Sequence, residues 1–415
     1  MESNLEKFKN PFRPGAGQKP PYLAGRKKEM QAFSKLLEQT VVFRNMILTG
    51  LRGTGKTVLS ETFTPIALER GWLWIGTDLS ESASVSEETL AIRLLTDLSV
   101  ATSQVIISST KKEIIGFTPT ETEDDKIYLN YETLASYYSS QPGLVADKHK
   151  ATLEWVWAFI KPVESIKGVV FAYDEAQNMS DQGKDRQYPL SMMLDIFQSL
   201  QRKEIPFFIL LIGLPPLFPK LVAARTYSER MFEIVELKSL EPAESREAIT
   251  KPIEQEKCPV GFEDELINLI IEKSGGYPYF IQFICREVYD YYLGQVARGE
   301  KTNIIPLDSI VAKLDTVFFA GRWNNITDRQ RELMSTIASL PNYDQEFTIQ
   351  EVIQKAEKLL AKPIGRSQIN QMFTRLEEEG LMHKTRHGKY SLGIPLLGEF
   401  IQRQKIIDTQ FSTSD

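Results

Sequence analysis

Gly50-Leu51-Arg52-Gly53-Thr54-Gly55-Lys56-Thr57 constrains this chain more than any other stretch. It matches G-x-x-x-x-G-K-[ST] at every fixed position, the pattern of a loop whose backbone N–H groups curl around phosphate oxygens. The pattern carries weight between a strand and a helix, and here the strand-like Asn45–Thr49 precedes it and a helical stretch to about Arg70 follows. In that setting Lys56 reaches the β/γ-phosphates and the Thr57 hydroxyl serves Mg²⁺. Gly50, Gly53, Thr54, Gly55 and Val58 complete the cradle at the positive end of the helix.

A phosphate cradle of this kind needs an acidic partner for the metal. The uninterrupted apolar run Gly168–Tyr173 suits a strand buried on both faces of a parallel sheet. It ends in Asp174-Glu175, at the strand edge where open α/β sheets meet their ligands. Asp174 is the expected Mg²⁺ holder through its water shell, and Glu175 the residue that orients or deprotonates an attacking water. Phe207–Ile212 is a second such strand, and Trp72–Gly76 a shorter one ahead of a polar serine-rich turn. Helical spacing of Met30, Phe33, Leu36 and Leu37 marks Arg26–Glu38, and another helix is expected over Lys148–Ile160. Alternating strands and helices imply a doubly wound α/β sheet with right-handed crossovers.

The rest of the chain divides around this core. Residues 1–25, with Pro11, Pro14, Gly15, Gly17, Pro20 and Pro21, form an extended arm, and 26–240 carry the sheet. Within them about 100–150 reads as an insertion: polar at Ser108–Lys112, acidic at Glu121–Asp125, rich in Tyr and Ser over Tyr128–Ser140. Residues 241–326 are a helical subdomain with helices at Pro242–Glu254, Glu263–Lys273 and Tyr279–Gln295. Residues 327–415 hold helices at Asp328–Ser339, Ile349–Leu360 and Ser367–Glu379, then a basic two-strand stretch, His383–Leu392. Two cysteines and three histidines argue against a disulfide framework or a metalloenzyme. The longest apolar run, Ile205–Phe218, contains three prolines and falls short of the roughly 18 residues of a spanning helix, and the charged N-terminus lacks an apolar signal core. A cytoplasmic protein without a membrane partner is expected.

With these motifs placed, the chain resembles the AAA+ and STAND-like P-loop ATPases over about residues 10–400, above all the initiator-type ATPases of origin recognition and a group of bacterial and archaeal ATP-binding proteins. The resemblance implies an α/β P-loop NTPase core with a helical lid subdomain and a C-terminal winged-helix domain, ATP and Mg²⁺ as cofactors, ATPase activity and self-assembly. It places Tyr22, Leu23 and Arg26, in the arm running from Asn10-Pro11-Phe12, beside the adenine. Arg230, with Arg225 as the weaker candidate, resembles the arginine presented to a neighbour's γ-phosphate. Gly275-Gly276-Tyr277-Pro278 resembles the lid turn that brings Pro278 near the nucleotide. One departure stands out: after Phe207–Ile212 the family places a polar residue that senses the γ-phosphate, and this chain reads Gly213-Leu214-Pro215-Pro216. The lid turn also lacks an arginine, so a slow nucleotide switch is expected.

The C-terminal unit resembles a winged helix. Ile369, Met372, Phe373 and Leu376 fill one helix face, leaving Ser367, Asn370, Gln371, Thr374 and Arg375 to point outward toward phosphates and base edges. Lys384, Arg386 and Lys389 form a cationic wing turning at Gly388. Double-stranded DNA is the expected partner, although the chain carries a net charge of −6. Residues 327–415 are balanced at 12 basic and 12 acidic side chains, which keeps open a STAND-like signalling or scaffold ATPase whose winged helix docks a protein effector encoded nearby. Tyr137, Tyr138, Trp155 and Trp157 read as packing aromatics and His149 as a surface residue.

Overall fold

The computed structural model describes residues 9–111, 124–299 and 305–412. The charged start of the chain, 1–8, and residues 121–123 of the acidic stretch lie outside the described residues. The chain forms two compact units. One comprises Lys27–Thr49 and Leu59–Glu236; the other joins the segment up to Arg26, Gly50–Val58 and Leu237–Asp415.

The first unit is built on a sheet of β1 (Asn45–Gly50), β2 (Trp72–Asp78), β5 (Gly168–Asp174), β6 (Phe207–Gly213) and β7 (Phe232–Leu237) in the order β2-β5-β6-β1-β7. The pairings β2·β5, β5·β6 and β1·β6 are parallel. Position explains composition: the inner strands β1, β5 and β6 are buried along their whole length, whereas the edge strands β2 and β7 alternate with exposed positions. Val169, Phe171, Phe207, Ile209 and Leu211 face one layer, with the buried sides of helices Glu87–Thr102, Val145–Ile160 and Pro189–Arg202. Side chains one step along, such as Phe208, meet Trp72 and Phe33 on the opposite face, where Phe33 stacks on Phe63 at 4.2 Å. That two-sided covering is the doubly wound arrangement.

The expected insertion is folded into this core. Its antiparallel hairpin pairs β3 (Ile106–Lys111) with β4 (Asp124–Tyr128), and helices Tyr131–Ser140 and Val145–Ile160 follow. Leu129, Leu134, Leu153, Val156 and Ile160 are fully buried in the same core as β5 and β6. Helix Glu87–Thr102, unassigned from sequence, starts at a Ser86/Thr89 capping box. The surface reading of His149 is wrong. It lies on the face of its helix shared by Thr152, Leu153 and Val156 and is fully buried. Burial lowers its pKa to about 4. Tyr137 stacks on Trp155 at 4.1 Å, and Trp157 packs edge-on against Phe207.

In the second unit helices Pro242–Gln255, Asp264–Ser274 and Pro278–Ala297 enclose a core with Phe12 of the arm, which is fully buried and stacked on Phe262. Asn10 fastens the arm further, its Nδ2 donating to the Arg286 carbonyl and the Asp290 carboxylate. The winged helix follows: helices Asp328–Ile337, Ile349–Leu359 and Arg366–Glu378, the antiparallel pair β8 (Met382–Arg386) and β9 (Lys389–Leu392), and helix Leu397–Ser412. Thr327 and Thr348 open its first two helices with capping boxes. Its core is continuous with the lid, because Phe280, Leu314 and Phe319 share one cluster with Leu333, Phe373 and Phe400. Arg403 closes that junction with a two-pronged ion pair to the nearly buried Asp315, at 2.8 and 2.7 Å.

Candidate active site

The residues that the sequence marks as a site fall into two clusters, one in each compact unit. In the second unit the glycine-rich loop is shaped by its own backbone. Gly53 and Gly55 have φ of 80° and 90°, values that side-chain-bearing residues avoid. The Thr54 hydroxyl donates to the Leu51 carbonyl at 2.9 Å, and the Lys56 ammonium folds onto the carbonyls of Gly50 and Leu51 at 2.9 and 3.1 Å. Thr57 is exposed and Val58 half-buried.

The arm and the start of a lid helix each contact this loop through one residue, Arg26 and Tyr279. Buried Arg26 donates to the carbonyls of Thr54 and Lys238 at 3.0 and 2.9 Å, so it braces the loop from the arm. Half-buried Tyr22 hydrogen-bonds Glu247, and half-buried Leu23 separates it from buried Ala24. Pro278 opens a lid helix, and the next N–H, of Tyr279, donates to the Gly53 carbonyl at 3.1 Å. The turn before it requires glycine: Gly276 has φ of 72°, and a Cβ there would lie 2.5 Å from the Leu240 carbonyl.

In the first unit the parallel register gathers acids at one sheet edge. Asp78 ends β2 directly opposite Asp174 at the end of β5. Burial and the charges of Asp174 and Glu175 hold the Asp78 carboxyl above its usual range, with Arg93 acting against them. Glu175 turns through a left-handed conformation, φ 53°, and its N–H donates to Asp174 Oδ1 at 2.7 Å. Its carboxylate accepts a hydrogen bond from Gln177 Nε2. Thr49, the residue before the glycine-rich loop, is in register with Gly213 of β6, the strand next to β5. Sequence reasoning misses Asp78 because it ends β2 at Gly76, and it misses Gln177 because nothing local marks it.

Among the described residues no group of three or more His, Cys, Asp or Glu could hold a metal on its own. The arginines differ sharply. Arg225 is committed within its own unit, forking onto Asp195 at 2.9 and 2.7 Å and reaching Ser191 at 2.8 Å. This pairing holds the Asp195 carboxyl below its usual range. Arg230 is exposed at the rim of a cavity of about 430 Å³ lined by Val41, Phe43, Gln201 and Tyr227. The neighbouring Met231 carbonyl accepts from Asn45, the first residue of β1. Arg230 is therefore at the opposite sheet edge from Thr49, about 13 Å of strand away at roughly 3.3 Å per residue.

In the winged helix Ser367, Asn370, Gln371, Thr374 and Arg375 are all exposed, over buried Ile369, Phe373 and Leu376. On the wing Lys384 and Arg386 are exposed and Lys389 is half-buried. Arg386 is paired with Glu346 at 2.7 Å, while Lys389 feels the charges of Glu346 and Glu351, and Lys384 that of Glu377.

No protein-family model matches the chain, and no curated protein matches its sequence. Solved structures do. The Walker-type ATPase of Pyrococcus abyssi superposes with a TM-score of 0.53 at 15% identity, over 92% of this chain and 96% of that one. The Aeropyrum pernix ORC2 protein in its ADPNP–ADP complexes gives 0.52 at 14%, over 96% and 98%, and its ADP form 0.52 at 13%, over 94% and 97%. The chain thus shares the fold of these solved structures, with a parallel-sheet P-loop core, a helical lid and a C-terminal winged helix. Among the described residues no helix is long and apolar enough to cross a membrane.

Proposed function

We propose that the chain is an ATP-dependent switch that hydrolyses ATP slowly and acts on DNA through its winged helix. The observation that carries this reading is the glycine-rich loop itself, with Lys56 folded over it and Arg26 and the Tyr279 N–H bracing it from arm and lid. In this reading Gly50, Gly53, Thr54, Gly55, Lys56 and Val58 hold the phosphates, Thr57 and Asp174 hold Mg²⁺, and Tyr22, Leu23, Arg26 and Pro278 flank the nucleotide. The metal supplies charge neutralisation on the phosphates. Glu175 orients the attacking water and takes its proton.

The proposed domains are the arm 1–25, the ATPase core 26–240, the lid 241–326 and the winged helix 327–415. Because lid and winged helix share a core, a nucleotide felt at Gly53 and Tyr279 has a packed route to the DNA-facing surface. Arg230, exposed at the far sheet edge, is suited to complete the site of another copy rather than its own. Ser367, Asn370, Gln371, Arg375, Lys384, Arg386 and Lys389 form the proposed duplex contact.

A second reading draws on a specific observation. The Arg386–Glu346 pair and the acids near Lys384 and Lys389 leave a wing with little free charge, which favours docking of a protein effector. For the first reading, Lys56→Ala should lower ATP affinity by about 100-fold or more while leaving the melting temperature of the nucleotide-free protein unchanged. Wild-type affinity in that folded variant, measured by equilibrium binding of a fluorescent ATP analogue, would place the nucleotide elsewhere.

A further inference from the structure

The end of β6 poses a problem that the rest of the molecule resolves. Gly213-Leu214-Pro215-Pro216 offers no polar side chain where the strand edge approaches the chemistry of β5. Space explains it: a Cβ on Gly213 would lie 2.5 Å from Gln177 Oε1. The glycine and the glutamine are therefore one feature, in which the side chain of Gln177 takes the room that a residue at 213 would otherwise fill.

Gln177 is held from several directions. The Leu214 N–H donates to its Oε1 at 3.0 Å, which fixes which end of the amide is oxygen and turns Nε2 toward Glu175. The Lys220 ammonium donates to the Gln177 carbonyl at 2.7 Å, and burial lowers the Lys220 pKa. One residue on, Asn178 donates to the Leu79 carbonyl at 2.9 Å and so ties the turn to the end of β2. Glu175 itself sits on a left-handed backbone, a conformation that persists only when its surroundings fix it.

We propose that Gln177 is a positioning residue: its amide bridges the Leu214 N–H at the end of β6 to the Glu175 carboxylate, and so sets the orientation in which Glu175 meets water. The bridge does the work of the missing polar residue after β6 from the neighbouring strand's turn. This inference rests on the reading of Glu175 as the water-orienting group.

Three substitutions separate the two halves of the bridge. Gln177→Glu keeps an acceptor for Leu214 but has no donor for Glu175; Gln177→Met fills the space with neither; Gly213→Ala displaces the amide while leaving Gln177 intact. Each should lower kcat about tenfold or more, because a misplaced catalytic group forfeits much of its orientation. KM should stay within about twofold. Without nucleotide, hydrogen exchange at the Leu214 amide should speed up in Gln177→Met and stay protected in Gln177→Glu. Combining Gln177→Met with Gly213→Ala should add nothing to the kcat loss, since both break one contact.

A hydrolysing wild type whose Gln177→Glu and Gln177→Met variants keep or exceed its kcat would overturn this inference alone. Unchanged Leu214 exchange in Gln177→Met would overturn the bridge itself. Wild-type protein that binds ATP and never hydrolyses it would overturn the catalytic reading of Glu175, and this inference with it. Full kcat in Glu175→Gln would remove the group that Gln177 is proposed to position.

Discussion

At the ends of β2 and β5 the fold brings Asp78, Asp174 and Glu175 to one edge, whereas on the wing it places Arg386 against Glu346 and Lys384 near Glu377. Burial and the charges of Asp174 and Glu175 raise the cost of ionising Asp78, with Arg93 the cation acting against them. The wing cations are largely answered by neighbours of opposite sign. A carboxyl held above its usual range by burial and like charges marks a candidate site, whereas a charge answered by its neighbours asks for nothing outside the chain. The two surfaces therefore differ in how firmly each implies a partner.

The acidic cluster gives the largest effects. Asp174→Asn should lower Mg²⁺-dependent ATP affinity at least about tenfold, and Glu175→Gln should keep affinity while slowing hydrolysis by about 100-fold or more. Binding isotherms with and without Mg²⁺, and steady-state hydrolysis rates, check the two effects. Unchanged Mg²⁺-dependent affinity in a folded Asp174→Asn variant would show that the carboxylate holds no cation.

How much of this is legible in the sequence follows from where each signal resides. The glycine-rich loop, Asp174 and Glu175 are readable because backbone requirements and a buried strand fix their residue types and order. The winged helix is readable by period, with Ile369, Phe373 and Leu376 inside and Ser367, Asn370 and Thr374 outside. Strand β7 goes unread because Glu233 and Glu236 interrupt its apolar residues and only Phe232 and Leu237, at its two ends, are buried. Gln177 is invisible because its partners, the Leu214 N–H and Glu175, meet only through sheet pairing. For His149 the charged neighbours Asp147, Lys148 and Lys150 outweigh the helical phase that buries it.

His149 is a third way to treat an ionisable group. Neither completed by a ligand nor answered by a charge, it is kept neutral, with both ring nitrogens buried and without a hydrogen-bond partner among the described residues. Its folded pKa, lowered to about 4, lies below the unfolded value near 6.5, so the unfolded chain takes up a proton that the folded one refuses. Stability from this group is complete above about pH 6.5 and falls by about 3 kcal/mol as the pH drops to 4. His149→Leu should flatten that part of the pH–stability curve in urea titrations. An acid loss as steep as the wild type's would assign the effect to other groups.

The smallest effect tests the wing. Replacing Lys384, Arg386 and Lys389 with alanine should weaken duplex binding and flatten its salt dependence, but a loss of that kind also follows from damage to the wing. A gain is more diagnostic. Glu346 accepts from Arg386 Nε at 2.9 Å and from Nη2 at 2.7 Å, and its carboxyl is held below the usual range by the neighbouring Thr385 hydroxyl and the Arg386 guanidinium. Glu346→Gln removes a negative charge facing the wing and frees the Arg386 guanidinium for a phosphate. If duplex DNA is the partner, affinity should rise severalfold, and the slope of log K against log salt should steepen by about one, the share of a single added phosphate contact. A protein effector recognised by shape gains nothing from the freed guanidinium, and its affinity carries no such slope. Duplex binding unmoved by both Glu346→Gln and the triple alanine replacement would mean that the wing's charges answer one another and no nucleic acid, and the docking reading of the winged helix would then replace the DNA-binding one.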